Sequence, residues 1–178
     1  VPGVNFPGIA GDIANLNNNT SATQTINLDQ NVTVGQVVFG NGVSTNTRTL
    51  ASGGAGSFFL TMNNSAANAS ISQTSTSIAN VTAAVAIGGN GVLALSNNNA
   101  TGQLNINGGI TSALTSGTQT VSKTGAQTVN VNSIIGNGSS GGTVAVDVTA
   151  GTLNLTAGNT YTGSTTITAG TLTLGGTA

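Results

Sequence analysis

The amino-acid sequence predicts an all-β fold, a right-handed parallel β-helix (β-solenoid), and three observations carry that expectation. Gly151-Thr152-Leu153-Asn154-Leu155 returns nineteen residues later as Gly170-Thr171-Leu172-Thr173-Leu174. A period near twenty with alternating Leu and Thr/Asn marks a short unit stacked on copies of itself. Runs of three to seven residues rich in Thr, Val, Ile and Leu alternate apolar with polar along most of the chain, which is the period of a strand. Finally, of 178 residues only Asp12, Asp29, Arg48, Lys123 and Asp147 carry full charge, where an ordinary soluble domain is about a quarter charged. In a stack of copies a charged side chain would lie against its own charge one layer away, whereas Thr and Asn would not.

Residues 1–22 read as a lead-in or cap, because Pro2 and Pro7 cannot donate to a central ladder. Within it, Asp12 to Leu16 reads as a first short strand. The rungs then occupy 23–178. Thr25-Ile26-Asn27-Leu28 and Val32-Thr33-Val34 alternate and lead to Val37-Val38-Phe39, with a break at Gly40-Asn41-Gly42. Arg48-Thr49-Leu50 precedes the break Ser52-Gly53-Gly54, and Phe58 to Met62 is a denser apolar run. Ala69 to Ser72 and Val81 to Ile87 follow, with a helix over Ala79 to Ile87 as the alternative for the second segment. Gly88-Gly89-Asn90-Gly91 reads as a tight turn into Val92 to Leu95. Leu104-Asn105-Ile106, Thr128 to Val131 and Thr143 to Val148 alternate again before the terminal Leu/Thr repeats.

Short strands with Gly/Asn turns also suit a β-sandwich, whose turn signals recur about every 8–12 residues. The nineteen-residue return favours the solenoid. There each strand pairs with its copy about 4.8 Å along the axis, so Leu153 stacks on Leu172, Leu155 on Leu174 and Thr152 on Thr171. Asn and Thr bond to their own copies along the ladder.

Composition restricts the chemistry. The chain has no Cys and no His, which removes thiol nucleophiles, imidazole bases and most zinc sites. Asp12, Asp29 and Asp147 are far apart in sequence, so no carboxylate pair for glycoside hydrolysis is expected, and the chain reads as no enzyme. The Gly-rich turns lack the acid of calcium-binding solenoid repeats and the Lys of a phosphate loop, so no metal and no cofactor are expected. Two cations cannot make a nucleic-acid stripe. No apolar run approaches the roughly 20 residues of a spanning helix, so this segment is not expected to insert in a membrane. A surface with so little charge does little to keep copies apart, which points to self-association, end to end or lateral. The candidate residues are Phe58 and Phe59, adjacent bulky rings that alternation would turn to opposite faces unless a bulge or corner buries both, and Leu172 and Leu174 in the final strand.

The segment 151–176, GTLNLTAGNTYTGSTTITAGTLTLGG, resembles the autotransporter-associated β-strand repeat. The matching positions are Gly151, Thr152, Leu153, Leu155, Gly158, Asn159, Tyr161, Gly163, Thr165, Ile167, Gly170, Thr171 and Leu172. Upstream, Gly11-Asp12-Ile13-Ala14-Asn15-Leu16 and Thr25 to Phe39 are similar, more loosely, to what precedes that repeat in large bacterial surface proteins. The resemblance implies an exported, passenger-type β-helix, extracellular or at a bacterial cell surface, without catalytic activity of its own. The function expected is a structural rod, stalk or self-associating fibre subunit. The alternative is an adhesin that holds glycan or a surface protein on a polar Asn/Thr-rich face.

Overall fold

The structure, a computed structural model, describes residues 7–17, 21–40, 45–53, 57–89 and 91–175. Pro2, Asn41-Gly42, Gly54, Asn90 and the last three residues lie outside them. Eighteen strands and no helix make up the regular structure of the described residues.

The chain coils through three faces. The first turn runs through β1 (Ile13–Asn15), β2 (Gln24–Leu28) and β3 (Val32–Val34). The second has β4 (Gln36–Phe39), β5 (Arg48–Ser52) and β6 (Phe59–Met62), and the third β7 (Ala69–Gln73), β8 (Ile78–Val81) and β9 (Ala84–Ile87). The fourth has β10 (Val92–Asn97), β11 (Gln103–Ile106) and β12 (Ile110–Ser112). Then come β13 (Thr118–Thr124) and β14 (Thr128–Val131), whose third face is reduced to a single bridge from Ile135 to Ile110. Two turns with only two strands each close the stack: β15 (Thr143–Val148) with β16 (Thr152–Leu155), and β17 (Thr165–Ile167) with β18 (Thr171–Leu174). Every pairing between strands is parallel and joins a strand to its counterpart one turn away. The result is a β-solenoid with two seven-stranded faces and one four-stranded face.

The stacking expected for the terminal copies is present: Thr152 pairs with Thr171, Leu153 with Leu172 and Leu155 with Leu174. The nineteen-residue return is nevertheless the shortest turn of the coil. Between Ile78 and Gln103, or Val85 and Ile110, the repeat is 25 residues. The longer turns contain a third-face strand that the last turn lacks. Segment 79–87 is strand rather than helix, split into β8 and β9. The strand β1 lies inside the expected lead-in and pairs with β4.

Alternation fills the bore. On the second face Ala79, Leu104, Val129 and Leu153 form one inward column, and Val81, Ile106, Val131 and Leu155 the next, all buried. Each fully buried Leu or Ile contributes about 1.5–3 kcal/mol relative to exposure. Gly151 and Gly170, with φ of +64° and +102°, begin the terminal units. A Cβ on Gly170 would lie 2.4 Å from the Gly151 carbonyl oxygen, so the G-T-L motif needs glycine for both backbone angle and space.

The corner between the first and second faces is polar inside. Gln73 and Asn97 fold inward there, and Asn97 Nδ2 donates to the carbonyls of Gly102 at 2.9 Å and Thr128 at 3.0 Å. Both cations of the chain enter the same corner and are buried. Arg48 Nη1 donates to Gly40 O (3.3 Å), Ser75 Oγ (3.4 Å) and Ser77 Oγ (3.2 Å). Lys123 occupies an inward column otherwise made of Val37, Ile71, Leu95, Val148 and Ile167. Its Nζ reaches the carbonyls of Thr124, Gly125 (2.7 Å) and Ala150 (3.1 Å). Most buried polar groups are satisfied in this way, whereas fully buried Gln119 has neither amide atom partnered.

Candidate functional site

The outer side of the second face carries a regular column of polar side chains. Thr25, Thr49, Asn80, Asn105, Asn130, Asn154 and Thr173 form one outward column through all seven layers. Its four asparagines are joined head to tail. Asn105 donates to Asn80 Oδ1 at 2.9 Å, Asn130 to Asn105 Oδ1 at 2.8 Å, and Asn154 to Asn130 Oδ1 at 2.9 Å. Beside it, Asn132 donates to Asn107 Oδ1 at 2.9 Å and Thr156 Oγ1 to Asn132 Oδ1 at 3.2 Å. Asn105 and Asn130 each spend one N–H and one oxygen lone pair on their neighbours and keep the rest for solvent or a ligand.

The four sequence-derived association residues fall on two separate places. Phe58 is half-buried and packs against the core, whereas Phe59 turns outward on the third face and is 40% exposed. Alternation therefore operates at this pair, and no bulge buries both rings. One turn above Phe59 lies Ala84, and Ile134, 49% exposed, follows two turns further in the same outward column. Ile134 was not singled out from sequence, although Ile134-Ile135 is the same kind of adjacent bulky pair. Leu172 and Leu174 lie on the last turn, far from Phe59 in the stack. Leu172 is half-buried against Leu153 and Leu174 is 70% exposed.

The carboxylates are dispersed. Asp12 Oδ2 accepts from the backbone N–H of Gly8 (2.9 Å) and Ile9 (3.2 Å), which ties the entry to the first turn. Asp147 lies on the outer column of the first face with Ser122 and Thr166, five layers above Ile13, or about 24 Å at the spacing of parallel strands. That separation excludes a shared site for Asp12 and Asp147. No group of three or more His, Cys, Asp or Glu comes together among the described residues. No helix among them is long and apolar enough to cross a membrane.

Concavities lie on the surface of the described residues. The first turn opens on a cavity of about 470 Å³ floored by Leu28, Val34, Val37 and Leu60 and rimmed by Pro7 and Asp29. A second, about 300 Å³, lies on the outer side of the polar corner among Asn97, Thr101, Gln103, Gln127, Thr128 and Asn130. Sequence reading did not find it, because its residues come from two turns that only the register brings together.

Burial pushes the Lys123 ammonium down to about 8 from the usual lysine range near 10.5. With Arg48 also inside, both formal positive side chains are withdrawn from the surface.

Compared with known proteins, the chain matches no family model, no curated protein and no solved structure. The resemblance of 151–176 to the autotransporter-associated repeat therefore rests on its residues alone.

Proposed function

We propose that this chain is a structural β-solenoid of an extracellular, passenger-type bacterial surface protein, a rod or stalk that associates with further copies of the same chemistry. The observation that carries this reading is the seven-layer stack with its uncharged Asn/Thr column, in which each layer presents the next with the same groups. Such a surface offers its own repeat as the natural partner. The absence of His and Cys and the dispersed acids support a non-enzymatic role. The repeat-like residues of 151–176 support the autotransporter-type assignment and, with it, export to the cell surface.

Association would use the last layer, where Leu172 and Leu174 occupy columns that lower layers bury, or the third face, where Phe59 stands out. Sedimentation and negative-stain electron microscopy of the chain against a Leu172→Asp/Leu174→Asp variant and a Phe59→Ser variant test this. Concentration-dependent polymers are expected for the parent chain, with loss in at least one variant. A parent chain that stays monomeric at all concentrations, or polymers indifferent to both variants, would remove the self-association part of the reading.

A further inference from the structure

The 300 Å³ groove at the polar corner has the features of a built site. Its floor is Asn97, 2% exposed, whose Nδ2 clamps the Gly102 and Thr128 carbonyls of two successive turns. Its wall is the loop before β11, in which Asn99 Oδ1 accepts from the N–H groups of Thr101 and Gly102, both at 3.0 Å. The loop is pressed onto the turn below: a Cβ on Gly102 would lie 2.1 Å from the Ser75 carbonyl oxygen. By the register of the neighbouring strands, Gln127 stands one layer above Gly102 and one below Gly151. It is the single long side chain between two glycines, so its amide overhangs an open notch.

The groups left available in the notch are the side-chain amides of Gln103 and Gln127 and the hydroxyl of Thr128. Among the described residues these three side chains have no hydrogen-bond partner, while the Asn97 amide is spent on the frame and Asn130 bonds Asn105 and Asn154. Two amides and a hydroxyl, without charge, offer donors and acceptors at several angles at once. Phosphate and nucleic acid would need a cation here, and the nearest, Lys123, is turned into the core. An apolar ligand would find almost no apolar wall. A peptide strand would find no open edge, since β11 and β14 are both paired on either side. A neutral polyhydroxyl ring satisfies the site, and the volume is at the small end of ligand pockets, about 300–1,000 Å³.

We propose that this groove is a binding site for one neutral hexopyranose unit of a glycan, held by the Gln103 and Gln127 amides and the Thr128 hydroxyl. The Asn130 end opens onto the asparagine column, so a longer glycan would continue along the second face. The rigid frame lowers the ordering cost of capture. This inference does not depend on the rod reading, and its failure would leave that reading intact.

The test is an array of neutral and acidic oligosaccharides probed with the full chain, followed by nuclear magnetic resonance titration with whichever neutral oligosaccharide is retained. Expected are saturable shifts centred on Gln103, Gln127 and Thr128. A Gln103→Ala/Gln127→Ala variant should lose about tenfold in affinity, the loss of two hydrogen bonds. Because both side chains face outward, its melting temperature should match the parent's, so lost binding would not reflect lost fold. Retention of no neutral oligosaccharide, retention of acidic ones only, or binding unchanged in the double variant would overturn the proposal.

Discussion

Asn154 donates its side-chain amide to Asn130 Oδ1 at 2.9 Å, across one turn of the coil and 24 residues of sequence. The same bond repeats from Asn130 to Asn105 and from Asn105 to Asn80. A polar, half-buried column thus zips four turns together along the axis, at right angles to the strands. Asn105, in the middle, both donates and accepts. Asn105→Ala is expected to lower stability by about 1–3 kcal/mol, from two hydrogen bonds that are each worth about 0.5–1.5 kcal/mol net. Asn154→Ala, which removes only the bond to Asn130, should cost about half as much. Chemical denaturation of the two variants checks the ratio.

Lys123 gives the fold a pH dependence of defined sign. Its folded pKa of about 8 lies below the unfolded value near 10.5. Between those values the unfolded chain still holds a proton that the folded chain has lost, so stability should rise from pH 8 to pH 10.5 and be level below 8. Lys123→Met restores an apolar side chain to the column of Leu95 and Val148 and is expected to abolish that rise. Urea midpoints measured at pH 7, 9 and 10.5 for both proteins decide the matter.

The two adjacent phenylalanines should separate by function. Phe58 packs on the core, so Phe58→Ala is expected to destabilise by about 2–4 kcal/mol, toward the lower part of the range for buried aromatics because it is only half-buried. Phe59→Ser removes an outward ring and should shift stability by no more than about 0.5–1 kcal/mol. Any effect of Phe59→Ser on sedimentation would therefore report association rather than folding.

Much of the architecture was legible because alternation and stacking are local rules. Leu153 over Leu172 and Thr152 over Thr171 could be written down from one repeat, and the structure has both. The full turn of 24–25 residues was not legible. The clean terminal repeat is the shortest turn, and upstream turns carry loops of different length that blur the period. The sites of Arg48 and Lys123 were hidden for a related reason. A charged residue in a strand pattern reads as outward, but a corner full of carbonyls provides internal partners that only the assembled turns create. The groove of Gln103 and Gln127 was unreadable because those residues, 24 apart, meet only through register.

Side chains in this coil stack on their own counterparts, and like charges so stacked would repel, which is why the chain carries so little charge. The most direct test is the melting temperature of an Asn80→Asp/Asn105→Asp/Asn130→Asp variant as a function of pH. Carboxylates about 4.8 Å apart in the column would repel by about 3 kcal/mol per neighbouring pair at an effective dielectric near 20, before salt screening. Repulsion raises their folded pKa values, so stability should be lost as pH rises through them and regained in acid, where carboxylic acids can donate to one another. The expected melting temperature at pH 7 is lower than the parent's by more than about 10 °C, largely recovered at pH 3. Equal melting temperatures for the variant and the parent at pH 7 would contradict it.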